Sequence, residues 1–150
     1  MTTIGSICER DVICTNSETT VQAAAKLMRH YHVGTLVIVD AADGRRIPKG
    51  IVTDRDIVVE VAALDLDPNV ITAGDIAMRE LVTVREGDGV LETVELMRLK
   101  GVRRLPVVDE GGQLVGIVSI DDLFEIISEQ MTEMTRTLGR ERGHERQARR

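Results

Sequence analysis

Aromatic side chains are almost missing from this chain: one Tyr, one Phe and no Trp among 150 residues. A core of stacked rings is excluded, so the interior has to be packed from Val, Ile, Leu, Ala and Met. Cysteine is scarce as well. Cys8 and Cys14 are too far apart for a CxxC motif and have no histidine cluster beside them, which reads as two reduced structural thiols and no metal site. No run approaches the roughly 18 to 20 apolar residues needed to span a bilayer. The opening "MTTIGSICERD" lacks the basic start and apolar centre of a signal peptide. These absences predict a cytoplasmic protein with no membrane partner.

Charge is unevenly spread. Net charge is −6, yet Arg136 to Arg150 holds six Arg against two Glu, so this tail carries +4 and residues 1–135 carry −10. An acidic body argues against nucleic acid as a partner, because such proteins present a basic face. The tail, with Gly139 and Gly143 among its charges, reads as a frayed, solvated end. Met28, Met97, Met131 and Met134 read as core or helix packing.

What the chain does contain is itself, twice. "VQAAAKLMRHYHVGTLVIVD" (Val21 to Asp40) lies over "VLETVELMRLKGVRRLPVVD" (Val90 to Asp109) without a gap, at an offset of 69. "GIVTDRDIV" from Gly50 returns as "GIVSIDDLF" from Gly116 at an offset of 66, so the first copy has three extra residues in "AADGRRIPK". Loops tolerate such insertions. Each copy opens on a short apolar run, "DVICT" or "LVTVR". A helix follows with apolar positions at i, i+3, i+4 and i+7, then two β-rich runs separated by turn residues, then a second helix over Asp54 to Leu64 or Ile120 to about Thr135. The predicted order is β-α-β-β-α, twice: an α+β fold with repeat 1 over residues 1–70, repeat 2 over 71–130 and a charged tail over 131–150. Neither copy alone buries enough surface for comfort. The two sheets are therefore expected to pack face to face with pseudo-twofold symmetry, leaving crevices between the copies as ligand sites. The Ile57, Val58, Val61 stripe should then remain exposed and drive homodimerisation.

"TDRD" and "SIDD" stand where strand gives way to helix. Thr53 with Asp56, and Ser119 with Asp122, have the spacing of a capping box. The same position can serve a ligand, since helix-terminal amides attract phosphate and an Asp can accept from a ribose diol. Both readings stay open from spacing alone. His30 and His32 near a helix end complement its dipole and have no evident third metal ligand. No nucleophile–base pair or carboxylate dyad converges on a motif, which argues against an enzyme.

The doubled "GIVTDRD" and "GIVSIDD", each preceded by a helix ending in "LMR" and a strand ending in "IVD" or "VVD", resemble the cystathionine-β-synthase (CBS) domain. Two in tandem are similar to a Bateman module of the stand-alone bacterial type, over residues 4 to about 128. The resemblance implies a regulatory module for adenosine-containing ligands (AMP, ADP, ATP, NAD or S-adenosylmethionine) that dimerises and acts on a protein partner in trans. Carried over, it assigns phosphate or ribose contacts to Thr53 and Ser119 and ribose hydroxyls to Asp56 and Asp122. It assigns the adenine enclosure to Val33, Gly34 and Thr35 with Cys14 and Thr15, and in the second copy to Val102, Arg103 and Arg104 with Thr83 and Val84. Arg103 and Arg104 replace Gly34 and Thr35, so the crevice holding Thr53 and Asp56 is expected to have the stronger phosphate clamp. The opposite crevice gains Arg55, while Asp121 there repels polyphosphate. The alternative is a purely structural oligomerisation module whose Thr, Ser and Asp only cap helices.

Overall fold

The computed structural model describes residues 1–40, 44–77 and 80–149; the turn expected at residues 41–43 lies outside them. In chain order the elements are α1 (Ile4–Ile7), β1 (Cys14–Thr15), α2 (Val21–Tyr31), β2 (Thr35–Asp40), β3 (Ile47–Thr53), α3 (Asp54–Ile57), a π-helical turn (Val58–Ala62), α4 (Ala73–Ile76), β4 (Val84–Arg85), α5 (Val90–Lys100), β5 (Arg104–Val108), β6 (Leu114–Ser119) and α6 (Ile120–Ala148). Two three-stranded sheets form, ordered β1-β2-β3 and β4-β5-β6. In each, the short leading strand runs parallel to the central one and the last strand antiparallel to it. The α+β class and the β-α-β-β-α order are those predicted.

The equivalent helices follow from equivalent residues. α2 buries Val21, Ala24 and Met28, and α5 buries Val90, Thr93 and Met97, one stripe of a 3.6-residue period. The buried Thr93 hydroxyl donates to the Gly89 carbonyl at 2.7 Å, so it leaves no unpaired polar group. Both helices stop on a left-handed residue, Gly101 at φ 66° and its counterpart His32 at φ 54°. Leu36 and Ile38 pack beneath α2 in the first core, and Leu105 and Val107 take the same place in the second. Alternation turns Val37 to the opposite sheet face, yet it too is fully buried, and its counterpart Pro106 is buried likewise. Both faces of each central strand are therefore covered, by helices on one side and by the other repeat on the second.

The leading segments are exchanged. Ile4, fully buried, belongs to the core of the second repeat. Its amide donates to Asp88 O at 2.9 Å and that of Gly5 to Glu86 O at 2.8 Å. Reciprocally, Ala73 belongs to the core of the first repeat, its amide donating to Thr19 O at 2.7 Å and that of Gly74 to Ser17 O at 2.9 Å. Glycine is required at both contacts. A Cβ on Gly5 would stand 2.9 Å from Glu86 Cβ, and one on Gly74 would stand 2.8 Å from Ser17 O. Glu9 and Ile117 also exchange both backbone hydrogen bonds at 2.9 Å, tying the N-terminal segment to the edge of β6. Sequence reasoning misses this exchange, although "TIGSI" at Thr3 and "TAGDI" at Thr72 keep the offset of 69.

Several expectations need correction. The stripe expected to drive dimerisation is largely internal: Val61 is buried and Ile57 packs on the first core, leaving Val58 exposed. The helix after Thr53 is not α-helical to Leu64, because it widens into a π turn at Val58 whose Ala63 amide reaches Val58 O at 2.9 Å. The tail is not frayed, since α6 continues through Gly139 and Gly143 to Ala148. Met131 and Met134 lie on that extension and are exposed, whereas Met28 and Met97 are core.

Ile4→Ala should cost about 2–5 kcal/mol, the range for truncating a buried aliphatic side chain. Urea unfolding checks this; an unchanged midpoint would show that the leading segment is not docked on the second repeat.

Candidate functional site

The exchange of leading segments opens a cleft of about 780 Å³ between the repeats, within the ~300–1,000 Å³ of small-molecule sites. The first repeat contributes Ile51, Thr53, Asp54, Arg55, Asp56, Val59 and Glu60, from the end of β3 through α3 into the π turn. The second contributes Val102, Arg103, Arg104 and Leu105 from the α5–β5 junction. Between them the connecting segment supplies Ile76, Ala77, Leu81 and Val82. Among the described residues, three arginines and five carboxylates (Asp54, Asp56, Glu60, Asp75 and Glu80) line it together with aliphatic side chains.

Both capping boxes are closed. Asp56 N–H donates to Thr53 Oγ1 at 3.2 Å, and Thr53 N–H donates to Asp56 Oδ2 at 2.9 Å. In the second repeat Asp122 N–H donates to Ser119 Oγ at 3.2 Å and Ser119 N–H to Asp122 Oδ2 at 3.0 Å. A third box, Thr72 with Asp75, starts α4. At α3 the amides between belong to other acceptors too: Asp54 N–H donates to Gly34 O at 2.9 Å and Arg55 N–H to Asp54 Oδ1 at 2.8 Å. Free helix-terminal amides for a phosphate, expected from the sequence, are thus not present at α3. What the box leaves over is different chemistry. The Thr53 hydroxyl still has its hydrogen to donate, and the Asp56 carboxylate keeps most of its acceptor sites.

The structure places Thr53, Asp56, Val102, Arg103 and Arg104 along one cleft. Arg55 is a correction: it lines this cleft, on the same short helix as Asp56. Val84 is a second correction. It is buried in the second core, and Leu81 and Val82 occupy the wall where Thr83 and Val84 were expected. Sequence reasoning misses Ile76, Ala77, Leu81 and Val82, although the repeated "TIGSI" and "TAGDI" could have indicated that this segment crosses to the first repeat.

The remaining predicted residues lie elsewhere. Cys14 Sγ accepts from Arg46 Nη2 at 3.0 Å, and Thr15 Oγ1 bonds Thr19 Oγ1 at 2.7 Å, so both are engaged on the β1 edge. Val33 packs on the first core, and the space over Gly34 is taken by the Asp54 carboxylate, 2.8 Å from where a Cβ would stand. Thr35, counterpart of Arg104, has a buried Oγ1 with no hydrogen-bond partner among the described residues. Asp121 lies 3.8 Å from Arg103, but at 74 % and 77 % side-chain exposure this contact is too solvated to hold Arg103 in place. Burial raises the Cys8 thiol above its ordinary pKa, although Arg10 opposes this, so the sulfur is a neutral packing group at neutral pH. Among the described residues no group of three or more His, Cys, Asp or Glu could hold a metal ion, and no helix is long and apolar enough to cross a membrane.

This doubled architecture matches the CBS domain profile at residues 4–63 and 73–129. The chain belongs to the CBS domain family. It is 41% identical over 124 residues to the uncharacterized protein MK0525 of Methanopyrus kandleri, covering 82% of this chain and 61% of that one. Hypoxic response protein 1 of Mycobacterium tuberculosis is 38% identical over 129 residues, covering 86% of this chain and 87% of the relative. Its crystal structure, with two coordinated zinc ions, superposes with TM-score 0.72 over 83% of this chain and 98% of that one. The CBS domain protein PAE2072 of Pyrobaculum aerophilum, solved in complex with AMP, is 28% identical with TM-score 0.73, covering 81% of this chain and 89% of that one. CBS domains also occur inside an enzyme, since inosine-5'-monophosphate dehydrogenase of Methanocaldococcus jannaschii is a 29% identical relative of which this chain spans 22%.

Thr53→Ala and Ser119→Ala should each lower stability by about 0.5–2 kcal/mol, the usual loss of an N-cap. Urea titration of ligand-free protein measures it, and no loss would mean the boxes do not form in solution.

Proposed function

We propose that this protein is a sensor that binds an adenosine-containing ligand (AMP, ADP, ATP or NAD) in the cleft between its repeats and passes the bound state to a protein partner. One observation carries this reading: the Thr53 and Asp56 pair of the first repeat faces Arg103 and Arg104 of the second across a single cleft. A nucleotide has that polarity. Its ribose hydroxyls suit the Asp56 carboxylate, its phosphates suit guanidinium groups that pair with them bidentately, and its base suits aliphatic walls such as Ile76 and Val82. Phosphate recognition then falls to arginine side chains, because the α3 amides are already committed. The carboxylates nearby favour few phosphates over many, which ranks AMP ahead of ATP.

A ligand held from both sides favours one relative orientation of the repeats, and a partner that reads the orientation reads occupancy. The reading assigns no catalytic residue. It makes the Thr53 cleft the principal site and the crevice around Ser119 and Asp122 the weaker one, since Gly34 and Thr35 stand there in place of arginines. The closed boxes favour one rival, a structural oligomerisation module in which Thr53, Asp56, Ser119 and Asp122 serve only as caps.

Melting the protein with AMP, ADP, ATP and NAD separates the two. A ligand at 100-fold its Kd should stabilise by about 2.7 kcal/mol, and Arg104→Ala should weaken affinity tenfold or more with the ligand-free melting temperature unchanged. Asp56→Ala should weaken affinity and also lower stability, because it opens the box. No shift with any of the four compounds would assign the protein to the structural reading.

A further inference from the structure

The second half of α6 is left largely uncovered by the described residues of its own chain, although Gln130 Nε2 donates to Thr2 Oγ1 at 3.4 Å. Every residue from Ser128 to Arg149 is exposed. Along it Phe124, Ile127, Met131, Met134 and Leu138 recur at spacings of three and four residues, the a and d positions of two heptads. Phe124, Met131, Met134 and Leu138 are 55%, 64%, 67% and 54% exposed, and Ile127 between them is half-buried against the second core, so the apolar seam runs about 21 Å. Gly139 and Gly143 weaken a free helix here, and helices in proteins draw most of their stability from packing.

We propose that this seam pairs with the same seam of a second copy, antiparallel. The a/d spacing is that of a helix packed on a like helix, and the positions flanking the seam carry no charge that would repel one. They are Ser128, Gln130, Thr135 and Thr137. Thr135 and Thr137 turn their hydroxyls onto their own helix, donating to Met131 O at 2.9 Å and Glu133 O at 3.1 Å, which leaves their methyl groups at the seam edge. Charge sets the direction. From Ile120 to Thr135 the helix holds five carboxylates and no Lys or Arg, whereas Arg136 to Arg150 carries +4. Parallel pairing would stack acid on acid and base on base; antiparallel pairing sets each acidic half beside a basic one. Seating Met131 against Met134 of the other copy also sets Ile127 opposite Leu138 and Phe124 opposite Glu141. The pairing is independent of any ligand in the cleft.

Oxidative crosslinking of the full chain tests it, with unsubstituted protein as the control for Cys8 and Cys14. Phe124→Cys protein mixed with Glu141→Cys protein should give a crosslinked dimer that neither gives alone, and adding Met131→Glu and Leu138→Glu to both should reduce its yield tenfold or more. Crosslinking of Phe124→Cys protein by itself would reveal a parallel seam and overturn the assignment. So would a monomer by sedimentation at tens of micromolar, or a chain that stays monomeric and instead cosediments with phosphatidylglycerol vesicles through the same residues.

Discussion

The reciprocal docking of the two leading segments is the constraint on which the molecule depends. Ile4 completes the second core and Ala73 the first, and each segment is held by paired backbone hydrogen bonds that a glycine makes possible by close approach. Two units of this size would be marginal if each had to close its own core. Exchanging a segment makes either repeat incomplete without the other, so they fold as one body. The same connection brings Ile76, Ala77, Leu81 and Val82 to the lining of the cleft. The cleft between the repeats is in this sense a by-product of the way they stabilise one another.

Asymmetry then distinguishes two positions that the backbone made equivalent. Gly34 and Thr35 in one repeat are Arg103 and Arg104 in the other. The first pair is closed over by Asp54 and by burial of the Thr35 hydroxyl, while the second projects into the cleft. Duplicated folds can specialise in this way at low cost, because an exposed loop accepts a change of side chain without disturbing the core. The π turn at Val58–Ala62 fits the same picture, since it is an irregularity on the cleft wall where Val59 and Glu60 face the opening.

The closed caps alter what the motif can mean. Hydroxyl and carboxylate three residues apart are equally good at starting a helix and at holding a sugar, and here the first task is visibly performed by three such pairs, one of which, Thr72 with Asp75, stands outside the repeated nonapeptide. The two tasks use different atoms, so neither displaces the other. Backbone amides spent on the cap cannot also meet an anion, so under the proposed function charge recognition falls to the arginines.

Much of this molecule is legible in its residues alone. Periodicity places α2, α5 and the strands, the offset of 69 implies two equivalent units, and the aligned copies show two arginines standing where the first has Gly34 and Thr35. These are local or pairwise features of the chain, written in side-chain type and spacing. The crossing of the leading segments, the place of Arg55 and Val84, the continuation of α6 past its glycines and the commitment of the α3 amides are not legible there. Each depends on which distant group arrives beside a residue. One sequence records what a residue can bond to; only the folded chain decides which of those bonds is already made.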